Sequence, residues 1–233
     1  GKKAQAGKPK KLTPKDVGKR MDVLVKKLEE ETKGADLFAP PPSTEDCAIC
    51  LVPLSRINSN TLYKACCGKV ICYACYKEND ESIEKQNEEK SAGKKLAFAC
   101  PFCREPKPTS DEQFARLQAR CLQNDRNAFI QMGEVYRRGE LGKAQDDLKA
   151  LDCYIRAVEL GSAEACTCIG TRYDEGIGVA VNKERAALFD RVGALRGDMM
   201  ARHNFGCSEY YNLGNHKLGI RHWKIAAEAG YQK

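Results

Sequence analysis

Residues 47–103 read CAICLVPLSRINSNTLYKACCGKVICYACYKENDESIEKQNEEKSAGKKLAFACPFC. The stretch holds four cysteine pairs: Cys47/Cys50, Cys66/Cys67, Cys72/Cys75 and Cys100/Cys103. Three have the Cys-x-x-Cys spacing, which lets one turn of backbone aim two thiolates at one metal. Tetrahedral zinc takes four such ligands, so eight cysteines fill two closed structural sites. The three histidines, His203, His216 and His222, stand far downstream, so both sites must be all-sulfur. A disulfide scaffold is the first competing reading. The total of 13 cysteines is odd, and Lys and Gly rather than an apolar signal segment precede them. The second treats the cysteines as small core residues. It fails because Lys and Gly flank the knuckles. A segment this small needs a staple. Zinc-finger peptides gain about 10–16 kcal/mol on binding metal, so folding here is expected to depend on zinc.

The order of the pairs resembles a RING finger in its all-cysteine form. That resemblance implies a small α+β module in which pairs one and three hold one zinc and pairs two and four the other. Site one is then Cys47, Cys50, Cys72 and Cys75, and site two Cys66, Cys67, Cys100 and Cys103. Lys69 stands where the family pattern has histidine, so the adjacent Cys66 must supply a thiolate. A phosphoinositide-binding FYVE finger shares Cys-Gly-x-x-x-Cys-x-x-Cys. Its basic cluster is reduced here to Lys64 in Leu62-Tyr63-Lys64-Ala65.

By the same resemblance, the module would act as a ubiquitin ligase that orients a charged conjugating enzyme. Three positions match the family's contact points. Ile49 offers an apolar knob, Pro101 follows the seventh cysteine, and Arg104 follows the eighth as a basic linchpin. Knuckle packing and a solvated charge are the plainer readings of these residues. Lys77, Glu78, Asn79 and Asp80 follow Tyr76 where the family often has a large apolar side chain.

Upstream, residues 1–42 are expected to form a basic disordered tail with a short amphipathic helix. The first twenty residues carry eight Lys/Arg against one acid, Asp16, which accounts for the whole net charge of +7. The remaining chain balances, so the folded part offers no positive field for nucleic acid. Lys8-Pro9-Lys10-Lys11 suits a nuclear-import address or a solubilising tail. Met21, Leu24, Val25 and Leu28 fall on one helical face, to pack on the zinc module or meet a partner. Ala39-Pro40-Pro41-Pro42 reads as a linker. A solvated helix is expected over Tyr76–Lys95, broken at Ser91-Ala92-Gly93. No run approaches eighteen apolar residues, so no membrane span is expected.

Residues 43–108 are expected to form the zinc domain and residues 109–233 a second one. Ser110-Asp111-Glu112-Gln113 predicts a helix start, with Phe114, Leu117, Cys121 and Leu122 on its apolar face. From about Asn124 the chain repeats. Gly133, Gly170 and Gly206 recur at near-constant spacing, as do Gly161, Gly197 and Gly230. Ala150, Ala186 and Gly219 align, and so do Ala157, Gly193 and Ala226. This period, with small residues at fixed points, signals an all-α helical-hairpin solenoid. The patterns Ala128-x4-Gly133-x2-Tyr136-x2-Gly139 and Ala165-x4-Gly170-x2-Tyr173-x2-Gly176-x-Gly178 resemble Sel1-like repeats, relatives of the tetratricopeptide class. The third unit, Ala201-x4-Gly206-x3-Tyr210, lacks the glycine loop and suits a cap. Cys121, Cys153, Cys166, Cys168 and Cys207 read as buried small side chains and not ligands, and the histidines as ordinary helix or turn residues.

No phosphate loop, nucleotide fingerprint or activated nucleophile is present. Two functions follow. One is a ubiquitin ligase with two structural zinc ions, a ubiquitin-conjugating enzyme as partner and repeats that recruit a protein substrate. The other is a non-catalytic adaptor with the same parts. Either would be intracellular, cytoplasmic or nuclear. Tyr210, Tyr211 and Trp223 in the last unit either anchor a partner or close the stack.

Overall fold

The computed structural model describes residues 12–56, 60–89 and 98–231. Most of the basic tail, including Lys8-Pro9-Lys10-Lys11, and the Ser91-Ala92-Gly93 break lie outside them. The chain is mostly helical. Three helical hairpins stack in sequence: α4 (Arg126–Arg138) with α5 (Asp147–Glu159), α6 (Ala163–Glu175) with α7 (Lys183–Leu195), and α8 (Met199–Cys207) with α9 (His216–Glu228).

Local chemistry sets the ends of these helices. Asp125, Ser162 and Asp198 accept backbone N–H bonds at the starts of α4, α6 and α8, and Asp146 and Asn182 do so for α5 and α7. Gly161, Gly197 and Gly230 close the units with φ of 87°, 94° and 89°. Only glycine adopts that left-handed turn without strain. Small residues let the paired helices cross closely. A Cβ on Gly133 would stand 2.5 Å from the Tyr154 ring, and one on Gly206 would stand 2.9 Å from Trp223. The third unit departs from the pattern as a π-helical turn, Ser208–Asn212, that replaces the glycine loop.

Before the repeats, helix α3 (Ser110–Leu122) packs on α4. Its cap is Thr109, one residue earlier than the sequence suggested. Thr109 Oγ1 accepts from Glu112 N–H, and the Glu112 carboxylate accepts from Thr109 N–H. Leu117 is buried, but Leu122 is 87% exposed, so the apolar face is narrower than expected.

The largest difference from the sequence reading lies upstream. Helix α1 runs Pro14–Thr32, so it starts inside the segment expected to be disordered. Thr13 caps it, and proline at its first position has no N–H to leave unpaired. Val17, Met21, Leu24, Val25 and Leu28 are buried in the core of the repeats, against α5 and α7 rather than on the cysteine-rich module. Arg20 pairs with Asp152 and Glu159, Asp22 with Arg185, and Glu31 with Arg196. The linker then continues over the last hairpin. Arg202 Nη1 donates to Leu37 O at 2.8 Å, and the Phe38 ring stacks on buried His222 at 4.8 Å.

The cysteine-rich segment forms a two-stranded antiparallel hairpin, β1 (Thr61–Lys64) and β2 (Lys69–Cys72), followed by helix α2 (Tyr73–Glu89). Among the described residues its few buried side chains, such as Cys47, Ile71 and Cys100, form no core cluster of their own.

Candidate functional site

The hairpin and three knuckles gather the eight cysteines into two groups. Cys47, Cys50, Cys72 and Cys75 form one, and Cys66, Cys67, Cys100 and Cys103 the other; within each, all sulfurs lie within 4.8 Å of one another. Among the described residues no other group of His, Cys, Asp or Glu could hold a metal ion. The first pair thus joins the third, and the second joins the fourth. Sulfurs around tetrahedral zinc at about 2.3 Å stand about 3.8 Å apart. The sulfur of Cys50 lies 3.9 Å from Cys72, that of Cys67 4.0 Å from Cys100, and that of Cys103 3.4 Å from Cys66. The donor set and spacing therefore fit a thiolate-loving ion such as zinc. All thirteen cysteines are free thiols, which excludes the disulfide scaffold in this structure.

Knuckles one and four share a backbone design. Leu51 N–H donates to Cys47 O and Arg104 N–H to Cys100 O, while Cys47 N–H and Cys100 N–H donate to Val52 O and Glu105 O. In both, the residue after the second cysteine takes a left-handed φ, 59° at Leu51 and 63° at Arg104. The electrostatics follow. Burial pushes the Cys47 thiol up, but N–H groups of Cys50, Cys72 and Ile49 outweigh it and draw it down to about 6. At Cys100 the N–H groups of Cys103 and Phe102 likewise overcome burial, giving about 7. Burial, then Cys103 and Cys100, pushes Cys66 far up. Burial, then Cys72, does the same to Cys75. Each group thus has one thiol ready to ionise and others that resist a second negative charge. A bound cation would remove that resistance.

The second group is fixed to the helices. Arg120 on α3 donates from Nε to Ala65 O at 3.3 Å and from Nη2 to Cys66 O at 3.4 Å. Tyr63 on β1 donates its hydroxyl to Asp125, the cap of α4, at 2.7 Å. Sequence reading missed both, because no local pattern links positions more than fifty residues apart.

The three resemblance-derived contact residues fall on two knuckles. Ile49 is 39% exposed on the first, near exposed Leu51 and Val52. Pro101 is half-buried on the fourth, and Arg104 is exposed there. Among the described residues, the Arg104 guanidinium makes no hydrogen bond or ion pair.

Trp223 packs within the last hairpin. Its ring covers Gly206 and neighbours Tyr210, and Nε1 donates to His203 O at 3.2 Å. Tyr211 stays open at 73% exposure. Of the remaining cysteines Cys166 is buried and the other four are half-buried. Between linker, cysteine module and repeats lies a cleft of about 410 Å³, lined by Pro42, Leu54, Arg56, Arg126, Glu164 and Arg196. Its arginines are engaged by Pro42 O, Glu45 and Glu31. No described helix is long and apolar enough to cross a membrane.

No family model matches the chain. Over 81 residues it is 32% identical to the alginate biosynthesis protein AlgK of Azotobacter vinelandii, covering 35% of this chain and 17% of that protein. Among solved structures it is similar to a Sel1 repeat protein from Oxalobacter formigenes, with 30% identity, TM-score 0.49, 55% of this chain and 52% of that one. It is also similar to a protective antigen of uropathogenic Escherichia coli displaying an SLR fold, with 25% identity, TM-score 0.48, 54% of this chain and 26% of that one. The chain therefore spans about half the length, or less, of each of these proteins.

Proposed function

We propose that the chain is a zinc-stabilised adaptor whose Sel1-like hairpins bind a protein partner. The observation that carries this is the joining of the two parts: two four-thiol groups in a module too small to fold alone, one of them held by α3, which itself packs on the first hairpin. Zinc would cross-link the module, with Cys47, Cys50, Cys72 and Cys75 holding one ion and Cys66, Cys67, Cys100 and Cys103 the other. The repeat motifs built on Gly133, Gly170 and Gly206 support the Sel1-like reading. Because α1 covers α5 and α7 and α3 packs on α4, the partner surface is the face of α6 and α8, with Tyr211 exposed in the last unit. Free thiols and thiolate sites suit a reducing, intracellular compartment.

Elemental analysis of the purified chain should return two zinc ions; one or none would sink the zinc reading. A ubiquitin-ligase function is the second reading, favoured by Arg104, an exposed non-glycine residue held at positive φ and, among the described residues, without a side-chain partner. Ubiquitin transfer with a panel of conjugating enzymes, lost in Arg104→Ala, would establish it. No transfer from folded, zinc-loaded protein would leave the adaptor.

A further inference from the structure

Consecutive residues seldom ligate one metal, because backbone geometry points their side chains apart. Cys66 and Cys67 both reach the second group, so something must hold their peptide planes in an unusual setting. The turn itself supplies part of this. Cys67 N–H and Gly68 N–H both donate to Lys64 O, at 3.2 and 2.8 Å. Those bonds leave the carbonyls of Ala65 and Cys66 to be satisfied. A side chain from another element takes both: the Arg120 guanidinium, through Nε and Nη2. The same group lies flat on Gly68, where a Cβ would stand 2.7 Å from Arg120 Nη1 and 2.9 Å from Cζ. Gly68 also has φ of 70°, so only glycine permits both the turn and the approach. Gln123 orients the guanidinium through Nη1, and Tyr63 ties the preceding strand to Asp125 at the start of α4.

We propose that Arg120 is a positioning residue for metal at the second group, so that metal affinity there is set by helix α3. The planar fork reads two successive carbonyls, which fixes the planes on either side of Cys66 and aims both sulfurs inward. Among the described residues, no such side chain bonds the carbonyls of the first group. Coupling of this kind is reciprocal: metal at the second group tightens α3 on α4 as much as α3 tightens metal. Residues that orient ligands typically carry about 10- to 100-fold of metal affinity.

The inference rests on the zinc reading, and the experiment separates the two. The full chain is loaded with zinc and stripped by a competing chelator, with a zinc-responsive dye following release. Wild type should release two ions. In Arg120→Ala one ion should leave at about 10- to 100-fold lower chelator concentration, while the other is released as in wild type. Arg120→Lys should not rescue, because one ammonium cannot span two carbonyls. Cobalt substitution gives a second readout: the thiolate charge-transfer band of one site should weaken in Arg120→Ala. Two ions released as in wild type would overturn the inference and leave the zinc reading standing. Two ions lost together with a collapsed thermal melt would also overturn it, as a general folding role. A wild-type chain that binds no zinc would overturn both.

Discussion

Leu28→Ala tests the placement of α1, the feature least expected of this chain. Leu28 is 1% exposed, within the core shared with α5 and α7. Two kinds of contact hold α1, and their magnitudes differ. The ion pairs of Arg20, Asp22 and Glu31 are partly solvated, with side chains from 18% to 59% exposed, and each should contribute about 0.2–1 kcal/mol. Truncating a buried leucine costs about 2–5 kcal/mol, because the transfer energy is lost and a cavity remains. Apolar burial should therefore dominate. In urea unfolding of the zinc-loaded chain, Leu28→Ala should lose about 3 kcal/mol. At a slope of about 2–3 kcal/mol/M the midpoint falls by about 1 M or more. Arg20→Gln should lose less than about 1 kcal/mol, and the loss should shrink further in high salt. A Leu28→Ala loss below about 1 kcal/mol, or one no greater than that of Arg20→Gln, would show that α1 does not sit in the repeat core.

Trp223→Ala should cost about 2–3 kcal/mol in the same assay, below the value for a fully buried tryptophan because the ring is half-exposed; a loss under 1 kcal/mol would return Trp223 to the role of a partner anchor. Asp190 is buried beside Gly170 with Oδ1 unpaired, and burial pushes its carboxyl well above the usual range. A raised carboxyl contributes stability below its unfolded value of about 4 and loses it as pH rises through the folded value. Asp190→Asn should thus gain on wild type as pH rises from about 4, measured by urea midpoints across that range; a pH-independent difference would refute this.

Much of the architecture was legible because it is written in short-range chemistry. Cys-x-x-Cys spacing marks knuckles whatever surrounds them, and glycine at positive φ ends a helix for reasons internal to three or four residues. The recurrence of Gly133, Gly170 and Gly206 announced hairpins because close helix crossings demand small residues at a fixed phase. Spacing alone could not assign sulfurs to sites: eight cysteines satisfy two tetrahedra in several pairings, and the chain path through β1 and β2 decides among them. Nor could periodicity tell α1 where to dock. Met21, Leu24, Val25 and Leu28 specify an apolar face but not the surface that covers it, and α5 and α7 supply that surface from more than a hundred residues away. Alignment of the repeats places Tyr154, Asp190 and Trp223 at one position, yet only the packing shows each pressed on the glycine of its paired helix. No local pattern distinguishes Arg120 from the other charges on its helix. Its meaning arises when α3 brings the guanidinium to two carbonyls of a turn far upstream, because such bonds depend on three-dimensional approach and leave no trace in neighbouring residues.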